Sequence, residues 1–176
     1  MSAAMLRELA KGNDEHVKSF SGSIKFSDFP KQDAVIILTC MDPRSNIIDT
    51  WNLPFGPAIL RNAGGRATPD ALRSMQVLAS IMANGQSTLG AVAVIHHTDC
   101  GLVNFGNDFI HERMKMNAPE HLHKQIDGMD HGGFTDVEAS IKEDMAIIKA
   151  DSFLPKGLEV LGFIHDSFTG KTTEVV

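Results

Sequence analysis

Short runs of consecutive apolar residues alternate along the chain with stretches in which apolar positions recur every three or four residues. The first pattern predicts strands buried on both faces and the second predicts amphipathic helices. Ala34-Val-Ile-Ile-Leu-Thr39, Ala58-Ile-Leu60, Ala91-Val-Ala-Val-Ile95 and Leu158-Glu-Val-Leu-Gly-Phe-Ile164 read as the strands, rich in β-branched residues. Residues 3–20 read as a helix, with Met5, Leu6 and Leu9 on one face and Val17 and Phe20 continuing it past the Gly12-Asn13 interruption. A loop is expected around Pro30, a short helix over about 45–51, and a turn at Pro54, Gly56 and Pro57. Thr68-Pro69-Asp70 combines a hydroxyl N-cap, a first-turn proline and an acid, so a helix is predicted from there to about Ala83, stopping at Asn84-Gly85. Residues 104–117 are predicted helical and 118–133, rich in His, Gly and Met, a loop or insertion. Phe134, Val137, Ile141, Met145 and Ile148 mark a long helix, and 166–170 a turn.

Strands alternating with helices predict an α/β fold with a mainly parallel central sheet and helices on both faces. No repeat, low-complexity tract or linker interrupts the 176 residues, so a single domain over 1–176 is expected, with an N-terminal helical arm over about 1–25. A formal charge of −6 argues against a nucleic-acid surface and against an anionic membrane partner. Neither a signal-peptide pattern nor a spanning apolar stretch is present, which leads us to expect a cytoplasmic protein. Cys40 and Cys100, the two cysteines, are too few for a disulfide scaffold. In a reducing compartment they are ligands, catalysts or core residues.

Cys40 closes one apolar strand, and His97 with Cys100 follows another. Open α/β sheets bind ligands beyond the carboxyl ends of their strands. Two thiolates and an imidazole suit tetrahedral zinc and leave one position free for water or substrate, the arrangement of a catalytic site. Asp42, two residues from Cys40 and two from Arg44, either swings onto the metal or pairs with Arg44 and orients a metal-bound water. Bland readings stand beside these: each cysteine as a small buried hydrophobe, or the two as a disulfide. Gly64 and Gly65 allow close backbone approach beside a site or simply a tight turn, and Gly101 poses the same choice. His96 reads as a strand-end residue rather than a second ligand, and His111, His121, His123 and His131 as solvated surface histidines rather than proton shuttles.

Cys40-x-Asp42-x-Arg44, then Arg61-Asn-Ala-Gly-Gly65, then His97-Thr-Asp-Cys100-Gly101 resemble the β-class carbonic anhydrases in order and spacing. Gly162-Phe-Ile-His-Asp166 with Thr169-Gly170-Lys171 resembles that family's closing strand and turn. The resemblance implies Zn²⁺ on Cys40, His97 and Cys100, with Asp42 and Arg44 as the catalytic dyad; a substrate-side place for Gly64, Gly65 and Gly101 rests on the close backbone approach that glycine allows. It implies hydration of CO2 to bicarbonate by a metal-bound hydroxide, or hydrolysis of carbonyl sulfide or carbon disulfide at the same site. A homodimer is also implied, with the N-terminal helix packing on the neighbour and higher oligomers built from that dimer. A non-catalytic zinc or redox-sensing module, and a plain interaction domain, are the readings from other classes. Gly56-Pro57 and the segment after Gly101 depart from the family pattern, as does 118–133.

Overall fold

The structure is a computed structural model describing residues 2–28, 32–53, 56–84 and 87–176. It divides at about residue 30 into two compact units. In the first, α1 (Ala3–Ala10) and α2 (Gly12–Ser19) replace the single helix expected over 3–20, the break falling at Lys11 just before Gly12. Ser2 caps α1 through its side chain. Met5, Leu6, Leu9, Val17 and Phe20 are exposed.

In the second unit the apolar runs form one sheet. The strands are β1 (Ala34–Cys40), β2 (Ala58–Asn62), β3 (Leu89–His97), β4 (Glu159–His165) and β5 (Thr172–Val175), in the order β2-β1-β3-β4-β5. The first four are parallel and β5 runs antiparallel on the edge. Parallel strands need covered faces, which is why their interiors read as unbroken apolar runs. Chain order reverses direction across the sheet between β1 and β3. That places the switch point of the doubly wound sheet beside the ends of the two strands carrying Cys40 and His97.

One face is covered by α4 (Pro69–Asn84) and α8 (Val137–Ala150). Leu38, Val94, Met75, Ile141 and Ile148 are almost fully excluded from water here, each contributing roughly 1.5–3 kcal/mol of transfer free energy. Gly162 on β4 lets α8 come close: a Cβ there would strike Ile141 Cγ2 and approach Met145 Sδ to 2.6 Å. Thr68 caps α4 as expected, its hydroxyl accepting from the amide of Ala71 at 3.3 Å. On the other face Ile37, Ile47, Ala93 and Ile95 form a smaller core with Trp51, Leu53, Ile59 and Phe163. Within residues 32–176 that face carries the four-residue α3 (Ile47–Thr50), shorter than expected, and leaves Val35 and Leu161 exposed.

The helix expected over 104–117 is the shorter α6 (Asn107–Lys115), preceded by a separate four-residue helix, α5 (Gly101–Asn104). The segment expected as a loop contains a 3₁₀ turn over Glu120–Leu122 and α7 (His123–Asp127). Apolar residues spaced as Leu122, Ile126 and Met129 explain it, for they line a groove of about 600 Å³ against Phe109, Ile110 and Met114 of α6. That groove includes none of Cys40, His97 or Cys100. His111 and His123 are not simply solvated: each meets a backbone carbonyl, of Met129 at 2.7 Å and of Ala118 at 3.2 Å, fastening the segment. Pro30, Pro54 and Gly85, where a loop, a turn and a helix stop are expected, lie outside the described residues.

Candidate metal centre

The ends of β1 and β3 deliver the donors. Register pairs Thr39 with Ile95, so Cys40 and the His96-His97 end of β3 arrive at the same edge of the sheet. The tight turn after His97 returns Cys100 to it. The ligand atoms of Cys40, His97 and Cys100 all lie within 4.8 Å of one another, and all three residues are buried. Cys40 Sγ and Cys100 Sγ are 4.0 Å apart. Two sulfurs each about 2.3 Å from a shared tetrahedral ion would sit about 3.8 Å apart. Both cysteines are free, with no disulfide.

The imidazole is oriented for the same purpose. Ser167 Oγ donates to the carbonyl of Thr98 at 2.5 Å, which leaves its lone pair to accept from His97 Nδ1 at 3.0 Å. The proton is thereby assigned to Nδ1, and Nε2 carries the free lone pair. That Nε2 is buried and has no hydrogen-bond partner. A buried orphan nitrogen is costly unless something occupies it, and facing two sulfurs it fits a metal ion.

The thiols are a coupled pair. Contact with Cys100 pulls the Cys40 thiol well down against burial, helped by His97 and by the backbone amides of Asp42 and Gly64. The same contact and burial push Cys100 up. A divalent cation would displace the proton the two share.

Beside the sulfurs stands an ion pair. Arg44 donates from Nη2 to Asp42 Oδ2 at 2.7 Å and from Nε to both carboxylate oxygens at 3.1 and 3.2 Å. The Asp42 carboxyl is held down to about 2, chiefly by these bonds. Arg61, on β2, fixes the loop that carries the pair: it donates to the carbonyls of Cys40, Asp42 and Ser45 at 3.0, 2.7 and 3.2 Å.

Gly64 and Gly65 both adopt left-handed backbone, with φ of 76° and 74°. A Cβ on Gly65 would come within 2.9 Å of the Cys40 amide nitrogen, and one on Gly64 within 2.7 Å of Leu102. Asn62 closes the loop by bonding both the amide and the carbonyl of Arg66 at 2.8 Å. The glycines thus press the loop against the end of β1. Gly101 faces open space.

His96 points away from the sulfurs, as a strand-end residue. Its Nδ1 meets Ser140 Oγ at 2.8 Å and its Nε2 meets the Gly65 carbonyl at 3.2 Å, with Phe134 stacked on the ring. Arg66 and Asp144 form an ion pair at 2.9 Å beneath it, buried and invisible in any local motif. Two further residues go beyond the sequence reading. Ser167 lies 70 positions from His97 and reaches it through pairing of β3 with β4. Asp99 lies within the His97–Cys100 motif, but its contact with Arg44 at 2.8 Å depends on the backbone turn between the ligands.

No protein-family profile matches the chain. Individual proteins do. Beta-carbonic anhydrase 1 of Mycobacterium tuberculosis is 24% identical over 171 residues, covering 93% of each chain. Carbon disulfide hydrolase of Saccharolobus solfataricus is 27% identical over 172 residues, covering 84% of this chain and 79% of that protein. Among solved structures, a carbonic anhydrase from Streptococcus mutans superposes with a TM-score of 0.81 at 32% identity, each chain covered in full. With two donor loops at the switch point of this sheet and a likeness that extends over the whole chain, the protein belongs to the β-carbonic anhydrase family.

Proposed function

We propose that the protein is a zinc enzyme hydrating CO2 to bicarbonate, with Cys40, His97 and Cys100 as the metal ligands. One observation carries the reading: three buried donors within 4.8 Å of one another stand beside a carboxylate held by an arginine. When bound, the metal supplies the Lewis acidity that makes a water molecule nucleophilic near neutral pH.

The chain's own residues do the rest. His97 presents Nε2 because Ser167 occupies Nδ1, and the Gly64 amide supports the charge on Cys40. Asp42, ionised throughout the working range, only accepts hydrogen bonds, so it orients the attacking water by taking one from it. Arg44 keeps that carboxylate turned to the site. Gly101, with open space before it, is assigned to substrate contact, while Gly64 and Gly65 act through Cys40. Ligand thiols that must stay reduced suit a cytoplasmic setting.

The carbon disulfide hydrolase relative motivates a second reading, hydrolysis of carbonyl sulfide or carbon disulfide at the same centre. The two separate when zinc-loaded protein is offered CO2, carbonyl sulfide and carbon disulfide side by side. The expected result is a kcat/KM for CO2 at least about tenfold above either sulfur compound. The reverse order would move the assignment to the sulfur substrate. No turnover of any of the three at full zinc content would leave a non-catalytic zinc module.

A homodimer completes the proposal. The sheet face bearing Val35, Ile59, Leu161 and Phe163 is apolar and only partly covered within residues 32–176. Apolar surface of this kind is characteristic of an interface. No helix among the described residues is long and apolar enough to cross a membrane.

A further inference from the structure

Arg44 is held on two sides. Asp42 takes Nε and Nη2 of its guanidinium. Asp99, from the turn between His97 and Cys100, takes Nη1 with its carboxylate at 2.8 Å and Nη2 with its backbone carbonyl at 3.1 Å. Asp99 has φ of 57°, left-handed backbone in a non-glycine residue. That conformation turns both its carbonyl and its side chain to the same guanidinium. Asn104 holds the other carboxylate oxygen at 3.0 Å. All three guanidinium nitrogens are engaged, and Arg44 ties the loop carrying Cys40 to the loop carrying Cys100.

We infer that Asp99 is a positioning residue, fixing Arg44 from the opposite loop so that the Asp42 carboxylate is aimed at the reacting water. The inference rests on the reading of Asp42 and Arg44 as the working pair. An arginine bound only to Asp42 would move with it, because the two sit on one short loop and share its motions. An arginine anchored across the site gives the carboxylate a fixed reference. It also keeps a paired charge whenever Asp42 turns away, so the guanidinium need not follow. Because the Asp99 side chain is 38% exposed, its removal leaves the core intact.

The test uses zinc-loaded protein and a set of variants: Asp99→Ala, Asp99→Gly, Asp99→Asn, Arg44→Ala and the double variant Asp99→Ala/Arg44→Ala. Zinc content is expected to stay at the wild-type level in all five. Arg44→Ala should lose about 100-fold or more in kcat. Asp99→Ala should lose about 10- to 100-fold in kcat with little change in KM, as misplacement of a working group does. Asp99→Gly should match Asp99→Ala, and Asp99→Asn, which keeps an acceptor and tolerates the left-handed turn, should recover most of the rate. The double variant should equal Arg44→Ala alone, since a residue acting through Arg44 has nothing left to act on. In nitrogen-15 spectra, solvent exchange of the Arg44 guanidinium protons should quicken in Asp99→Ala.

Wild-type kcat in Asp99→Ala beside a crippled Arg44→Ala would overturn the inference and leave the pair standing. A wild-type rate in Asp99→Gly would show that only backbone strain is at stake, and losses that multiply in the double variant would show that Asp99 acts elsewhere. Either result overturns it. Full turnover in Arg44→Ala would remove the working pair itself and the inference with it, whatever the guanidinium spectra read.

Discussion

At the scale of single residues, donors and their supports are expected to separate in experiment. Replacing Cys40, His97 or Cys100 by Ala should take zinc from about one ion per chain to near none, measured by elemental analysis of purified protein, because two remaining donors do not hold a tetrahedral site. Full zinc in Cys100→Ala would sink the ligand assignment. Ser167→Ala should retain the fold yet weaken metal affinity by roughly 10- to 100-fold, the cost of losing the partner that orients a ligating imidazole. Competition with a chelator reads that value, and unchanged affinity would show that the 3.0 Å contact with His97 Nδ1 does not set the tautomer. Cys40, Asp42 and Arg44 were legible in the sequence because they are neighbours in the chain, and His97 with Cys100 likewise. Ser167 was not, since its place depends on the register that sets His97 opposite His165. The glycines were legible only as a choice between turn and site. The contact of Gly65 with the Cys40 backbone decides what they do mechanically: they let one loop lie against the other.

Elements carry a different class of prediction. Gly162 is the point where α8 touches β4, and a methyl group there meets Ile141 and Met145. Gly162→Ala should therefore destabilise the protein by about 1–3 kcal/mol through overpacking, read as a lowered urea midpoint. Its zinc content at low temperature should be unchanged, because the clash lies in the α8–β4 contact, opposite Val94 and short of the strand ends that carry Cys40 and His97. The turn joining β4 to β5 responds to pH. Asp166 accepts from the amides of Phe168 at 2.8 Å and Thr169 at 3.0 Å, and those bonds hold its carboxyl below the ordinary value. Above that ordinary value both folded and unfolded chains are ionised, and the contribution to stability is complete. As pH falls below it, the unfolded chain takes up the proton first. The contribution shrinks, and it is gone once pH passes under the lower folded value. Metal-free wild type and Asp166→Asn should thus differ in urea midpoint near neutrality and converge in acid. A gap that stayed constant would detach the carboxylate from the turn. Here too, what the sequence reveals depends on length and pattern. Strands β1, β3 and β4 announce themselves as apolar runs, whereas Thr172-Thr-Glu-Val175 is a short, polar edge strand with no periodicity to read. α7 is five residues long, and its buried Ile126 has meaning only against α6.

At the scale of the whole molecule, the sheet unit over 32–176 has two unlike faces, and that asymmetry was invisible in the strand patterns, because apolar runs predict cover without saying what supplies it. α4 and α8 account for one face through Met75, Ile141 and Ile148. On the other, α3 is a single turn, and Leu161 and Val35 remain 40% and 38% exposed although they sit on central strands of a parallel sheet. Parallel sheets are covered on both faces, so a second copy is the cover a self-complementary apolar patch would recruit. Leu161→Glu should put a carboxylate into the middle of the proposed interface, where burial without a partner costs several kcal/mol. It should cost the monomer little, since this side chain is already partly in water. The expected outcome is a wild-type chain at twice the monomer mass or a multiple of that by light scattering, and a variant shifted toward the monomer at micromolar concentration. Leu161→Met, equal in volume and apolar, should keep the wild-type mass and so control for mere perturbation of β4. If Leu161→Glu kept the wild-type mass while remaining folded by circular dichroism, the interface would lie elsewhere, and the open face would need another cover.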